Sequence, residues 1–171
     1  LYVIEPGLWQ QSDASARQWM FCRDSLQELR TVLAELGMPL VVRRGPVLTV
    51  FQRAQQQFGI AALWSHEETG NGWTYARDRE VSTWARSQGI PWIEVPQFGV
   101  VRPLATRQGW ARRWEARMAE PSLPQPAALQ PLPHVVPGEL PTAAALGLAD
   151  DGCEGRQPGG RRPALALLQG F

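Results

Sequence analysis

Apolar positions along this chain alternate between short unbroken runs and longer stripes at helical spacing. Leu1-Tyr2-Val3-Ile4 is a continuous run stopped by Pro6-Gly7, which predicts a short buried strand. Trp19, Cys22, Leu26, Leu29, Leu33 and Leu36 then recur three and four residues apart, as one face of a helix requires, with Ser12 or Asp13 as its N-cap. Gly37 ends that stripe. Leu40-Val41-Val42 predicts a second strand, and Pro46 suits the first position of a helix carrying Val47, Val50, Phe51, Ala54 and Phe58 inward. Ile60 to Trp64 is almost wholly apolar, as in a parallel strand covered on both faces. A polar loop from Ser65 to Gly72 leads to a helix over Trp73 to Ser87, and Pro91 to Pro96 predicts a fourth strand. Strand and helix in strict alternation predict an α/β fold built on a doubly wound parallel sheet, with right-handed crossovers placing helices on both faces.

A further helix is predicted over Gly109 to Met118, with Trp110 and Trp114 one turn apart. From Pro121 the composition changes to Pro, Gly and Ala, which sustains neither a helix nor a central strand. The organisation read from this is a domain over 1–119, a linker over 120–162 that runs over a surface, and the start of a helical domain over 163–171. Both ends open or close on apolar runs, Leu1 to Ile4 and Ala164 to Leu168, so the chain reads as a piece cut through secondary structure.

Composition narrows the function classes. The formal net charge is +1, too small for an overall nucleic-acid field. All 17 basic residues are Arg, which removes any P-loop or Schiff-base lysine. Neither GxGxxG nor GxxxxGK[ST] follows any predicted strand. Cys22 and Cys153, like His66 and His134, lack metal-ligand spacing. No run is long and apolar enough to cross a membrane, and the default compartment is the cytoplasm.

Ligands of open parallel sheets bind beyond the carboxyl ends of the strands. There Arg43, Gly45 and the helix start at Pro46 can receive an anion, although Arg43 and Arg44 also read as solvated loop residues. In the loop Ser65-His66-Glu67-Glu68-Thr69-Gly70-Asn71, Ser65 and Glu67 are placed for a small-molecule contact, while Ser65 with Glu68 has capping-box spacing. Arg77 shares a helix stripe with Trp73, Val81 and Trp84 and is expected to be partly buried in a structural role. Asp78, next along, points elsewhere and is not its expected partner. In the Gly109–Met118 helix, Arg and Trp together suit base stacking; the plainer reading packs Trp110, Trp114 and Met118 inward.

These segments together resemble the photolyase/cryptochrome family. Leu36-Gly37-Met38-Pro39-Leu40-Val41-Val42-Arg43-Arg44-Gly45-Pro46 is similar to its LG-x-x-L-x-V-x-x-G passage, and Arg77-Asp78-Arg79-Glu80-Val81 to its RD-x-x-V signature. Tyr2 to Pro6 resembles its second strand, Ser65 to Tyr75 a bacterial branch, and Gly159-Gly160 the entry to an FAD-binding domain. The resemblance spans most of residues 1 to 119 and resumes near 157. It implies a Rossmann-like or flavodoxin-like three-layer domain, lacking the family's first strand, that in many members holds a light-harvesting antenna chromophore. Energy would pass to FAD in a separate helical domain absent from these residues, which would be this domain's partner and would engage damaged DNA. Trp73-Thr74 stand where folate-binding members carry Asn-Glu, so the resemblance implies a flavin or deazaflavin antenna, or none, before a folate. Arg43, Gly45, Ser65 and Glu67 are the implied antenna contacts, and Arg77 and Asp78 a structural motif. No catalytic residue is expected in this segment. The resemblance implies that the full protein is a light-driven deoxyribodipyrimidine photolyase; a cryptochrome photoreceptor and an unrelated nucleotide-binding α/β domain are the alternatives.

Overall fold

A computed structural model describes residues 1–101 and 104–170; Phe171, at the end of the last predicted apolar run, lies outside them. In chain order the elements are β1 (Tyr2–Ile4), α1 (Pro6–Trp9), α2 (Ala16–Glu35), β2 (Val42–Arg44), α3 (Val47–Phe58), β3 (Leu63–His66), α4 (Gly72–Ser87), β4 (Trp92–Val95), α5 (Trp110–Met118), a 3₁₀ turn (Ala144–Leu146) and α6 (Arg161–Gln169). The strands pair in parallel as β1 with β2 and β3 with β4. The chain divides into two compact units, one built from residues 1–50 and the stretch from Pro126 onward, the other from Phe51–Gln125.

In the first unit the β1–β2 register sets Tyr2 opposite Val42 and Ile4 opposite Arg44. This moves β2 two residues beyond the predicted Leu40–Val42, because Tyr2 N–H takes Val41 O and Gly45 N–H takes Ile4 O. Pro6-Gly7, read as a stop, instead open α1, with Pro6 where its missing N–H costs nothing. Ser15, not Ser12 or Asp13, caps α2 by accepting from Gln18 N–H. The core holds Ile4, Trp19, Leu26, Leu40, Val42 and Leu146, with Cys22 and Leu33 partly buried against it. Trp9 meets Trp19 edge to face, centroids 5.0 Å apart, a preferred aromatic geometry. Leu29, at the rim of the α2 stripe, stays exposed.

The Pro-rich stretch supplies part of this core through Leu146. Its backbone is poor in N–H donors, so it joins the unit mainly as an acceptor. Val42 N–H bonds Pro137 O at 2.5 Å, Trp19 Nε1 bonds Pro141 O at 3.1 Å, and Arg30 Nη2 bonds Gly138 O at 2.9 Å.

In the second unit Leu63 to His66 lie beside Trp92 to Val95. β3 starts three residues later than the predicted Ile60 and takes in polar Ser65 and His66. It is not covered on both faces within its unit: Trp64 is 71% exposed. Asn71 caps α4 by accepting from the N–H groups of Trp73 and Thr74. Val81 and Ala85 are buried, and Phe51 stacks on Trp84 at 5.9 Å. Both long helices end alike. Gly37 and Gly89 take positive φ, and the next residue, Met38 or Ile90, donates back to Leu33 O or Ala85 O. Such reversals close orphan carbonyls at a left-handed residue that only glycine adopts freely.

Candidate functional site

In the first unit, the carboxyl ends of β1 and β2 carry Glu5 and the run Arg43-Arg44-Gly45. Pro46 has no N–H, so Val47 presents the first free donor of α3. The Glu5 carboxylate, only 5% exposed as a residue, accepts it at 2.8 Å. The helix start predicted to receive an anion is thus occupied by the chain's own carboxylate. Arg43 Nη1 donates to Val42 O at 2.8 Å and Val136 O at 3.0 Å, and Arg44 Nη2 to Ala145 O. Both arginines are therefore stitched to the Pro-rich stretch rather than merely solvated. Gly45 makes the turn at φ 139°, with open space where a Cβ would stand.

In the second unit, Ser65 lies in β3 and its hydroxyl accepts from Trp92 Nε1 at 2.9 Å. The capping box with Glu68 does not form. Glu67 is half-buried and its backbone N–H reaches Val95 O. Glu68 accepts from Gly70 N–H at 2.8 Å and from Arg77 Nη2 at 3.3 Å. Asp78 was not the expected partner of Arg77, yet it takes both Nε at 3.0 Å and Nη2 at 2.8 Å. The long guanidinium folds back to its neighbour's carboxylate, a reach that the divergence of consecutive positions on a helix does not reveal. Arg77 is partly buried as expected, with its guanidinium carbon 6.0 Å from the centre of the Trp73 ring. Arg43 and Gly45 lie in one unit and Ser65 and Glu67 in the other.

Two hollows flank α2 in the first unit. One, of about 410 Å³, is lined by Arg17, Phe21, Cys153 and Arg156. Its arginines are paired, Arg17 with Asp151 and Arg156 with Asp24, so both positive charges are already met. The other, of about 260 Å³, lies by Phe21, Glu28, Leu29 and Gly160. Beside it Glu28 accepts the N–H groups of Arg161 and Arg162, and Asp24 that of Gly159, so acidic residues of α2 seat the first turn of α6. Negative charge there also complements the helix dipole. Sequence reasoning missed Glu5, Asn71, Asp24 and Glu28 as anchors; only Asn71, placed just before a helix, gave a local signal.

Burial raises the Tyr2 phenol well above its ordinary range, helped by the Cys22 sulfur 3.1 Å away. Burial also pushes the Cys22 thiol up. Among the described residues no group of three His, Cys, Asp or Glu side chains is placed to hold a metal ion, and no helix is long and apolar enough to cross a membrane.

The family model described as DNA photolyase matches residues 1–127. The chain belongs to the DNA photolyase family. Cryptochrome DASH of Gloeobacter violaceus is 31% identical over 167 residues, an alignment that covers 88% of this chain and 33% of that protein. The chain thus spans about a third of the length of this relative. Among solved structures, the cryptochrome of Synechocystis sp. PCC6803 matches 99% of the chain with TM-score 0.75 at 18% identity, over 39% of its own length. The bacterial class III photolyase of Agrobacterium tumefaciens matches 98% with TM-score 0.70 at 16% identity, over 37% of its length. These likenesses bear out the Rossmann-like α/β fold, and the chain corresponds to the N-terminal domain of a photolyase-family protein.

Proposed function

We propose that this photolyase-family domain is the antenna-type α/β domain of a light-driven, FAD-dependent deoxyribodipyrimidine photolyase, with no catalytic residue of its own. The family match over residues 1–127 carries this reading. FAD and damaged DNA are engaged by residues outside these 171, since the chain spans a third of its curated relative. The chain belongs in the cytoplasm on this reading, and 1–119, 120–162 and 163–171 serve as domain, connector and entry to the FAD-binding domain.

Any antenna chromophore here is a flavin or deazaflavin. Arg43 and Gly45, and separately Ser65 and Glu67, are proposed as contact residues, each pair within its own unit. The start of α3 does not fit a phosphate, because Glu5 already fills it and two anions would repel there. A phosphate of the chromophore is therefore not held at that helix start.

The match to Cryptochrome DASH favours a second reading, a blue-light photoreceptor. The product of the complete reading frame, purified in the dark, tests both. A bound flavin released on denaturation supports the family-level cofactor, and light-dependent dimer repair separates repair enzyme from receptor. A product without flavin would overturn both readings.

A further inference from the structure

Two helices leave apolar residues uncovered. In the second unit α5 exposes Trp110, Trp114 and Met118, which the plainer reading packs inward. In the first unit α6 is nine residues long and none of them is buried. Ala164 to Leu168 are all apolar, and Leu168 is 69% exposed. A helix so short does not hold itself in water, and consecutive apolar residues leave it no polar face there to turn to solvent. The start of α6 is nevertheless fixed. A Cβ at Gly159 would collide with Phe21 O and one at Gly160 with the Glu28 carboxylate, so the chain passes in close contact over α2. Phe21 and Leu29 of α2 are each 43% exposed. Phe21 borders both hollows, and so does the chain entering α6, through Gly155 to Gln157 in one and Gly160 and Arg161 in the other. Leu29 and Val32 line the smaller hollow.

We infer that this face, Phe21, Leu29 and Val32 of α2 with the leucines of α6, is the docking surface for the polypeptide that continues from α6. The inference rests on the reading above, in which an FAD-binding domain lies outside these residues, and the chain covers only 33% of the Cryptochrome DASH relative. The occupant follows from the contact already made. The junction of α2 and α6 runs directly into the uncovered face, and a segment tethered there binds intramolecularly, at an effective concentration that a second copy does not match. The charges at the rim are already met, Arg17 by Asp151 and Arg156 by Asp24. Apolar side chains can therefore cover the face without stranding a lone ion.

The test is hydroxyl-radical footprinting of the product of the complete reading frame, folded and in urea. Phe21 and Leu29 should react in the folded protein at a small fraction of their unfolded rate, well below the 43% that their exposure here allows. That protection should persist on dilution. A benzophenone side chain placed at position 29 should cross-link to a peptide beyond residue 171 of the same molecule. Protection in a product that lacks flavin would sink the FAD reading and leave the docking surface supported. Phe21 and Leu29 reacting as exposed side chains would overturn the inference, whether or not flavin is bound. Protection lost on dilution, or cross-links confined to a second molecule, would also overturn it and give the face to another copy of the chain.

Discussion

Glu5 Oε1 accepts the backbone N–H of Val47 at 2.8 Å, so the residue that follows β1 also closes the first turn of α3. The bond spans 42 positions and joins two elements through a carboxylate almost sealed from water. Removing one partner of a buried hydrogen bond leaves the other unsatisfied. Glu5→Ala should therefore destabilise the chain by about 1–3 kcal/mol in urea unfolding. Glu5→Gln keeps an acceptor oxygen and should lose less. Equal losses in the two variants would show that the hydrogen bond to Val47 is not what matters at this position.

A second contact governs α6. A Cβ at Gly159 would collide with Phe21 O and Ser25 Oγ on α2, so only glycine lets the chain come close enough for Glu28 to accept from Arg161 and Arg162. Gly159→Ala should detach α6. Hydrogen exchange at the Arg161 and Arg162 amides should rise sharply, while exchange within α2 changes little. Unchanged protection at those amides would contradict the contact.

Much of the fold was legible because periodicity reports burial directly. Trp19, Cys22, Leu26 and Leu33 marked the inner face of α2, and α4 and α5 each begin one residue from their expected starts. Periodicity reports nothing about pairing, so β2 was placed too early and the polar end of β3, Ser65-His66, was missed. It is also silent in proline-rich chain. Leu146 reached the core from a stretch read as a surface connector, because its attachment runs through carbonyl acceptors that no side-chain pattern displays. The candidate site was less legible still. Glu5 stands alone in sequence, and only the fold brings it to Val47; Arg77 and Asp78 were found, but their pairing depends on side-chain conformers.

That pairing makes a prediction about the loop before α4. Arg77 holds Glu68 and Asp78 together in a partly solvated setting, between the small worth of exposed ion pairs and the larger cost of breaking buried ones. Arg77→Ala should cost about 1–2 kcal/mol and speed proteolysis within residues 65–70. Arg77→Lys loses the two-pronged grip on Asp78 and should recover only part. Cleavage at the native rate in Arg77→Ala would mean that the loop is held by other contacts.

Alkaline pH should weaken the first unit through Tyr2 and Cys22. Folding raises the pKa of both groups, chiefly by burial, whereas in the unfolded chain they ionise near their ordinary values of about 10 and 8.5. Their contribution is complete below about pH 8.5 and is lost as the pH rises toward their folded values. Urea midpoints should therefore fall from about pH 8.5 upward. Tyr2→Phe with Cys22→Ala should flatten that decline. A double variant that loses stability with pH as steeply as the native chain would place the alkaline sensitivity elsewhere.

Whether this domain serves light-driven repair is tested most directly by dimer repair with the product of the complete reading frame. Ultraviolet-damaged DNA is incubated with the protein in blue light and in darkness, and the remaining pyrimidine dimers are counted. Loss of dimers in light alone is the predicted result. A flavin-bearing protein that leaves the dimers intact under both conditions would contradict the repair assignment and leave the photoreceptor reading in its place.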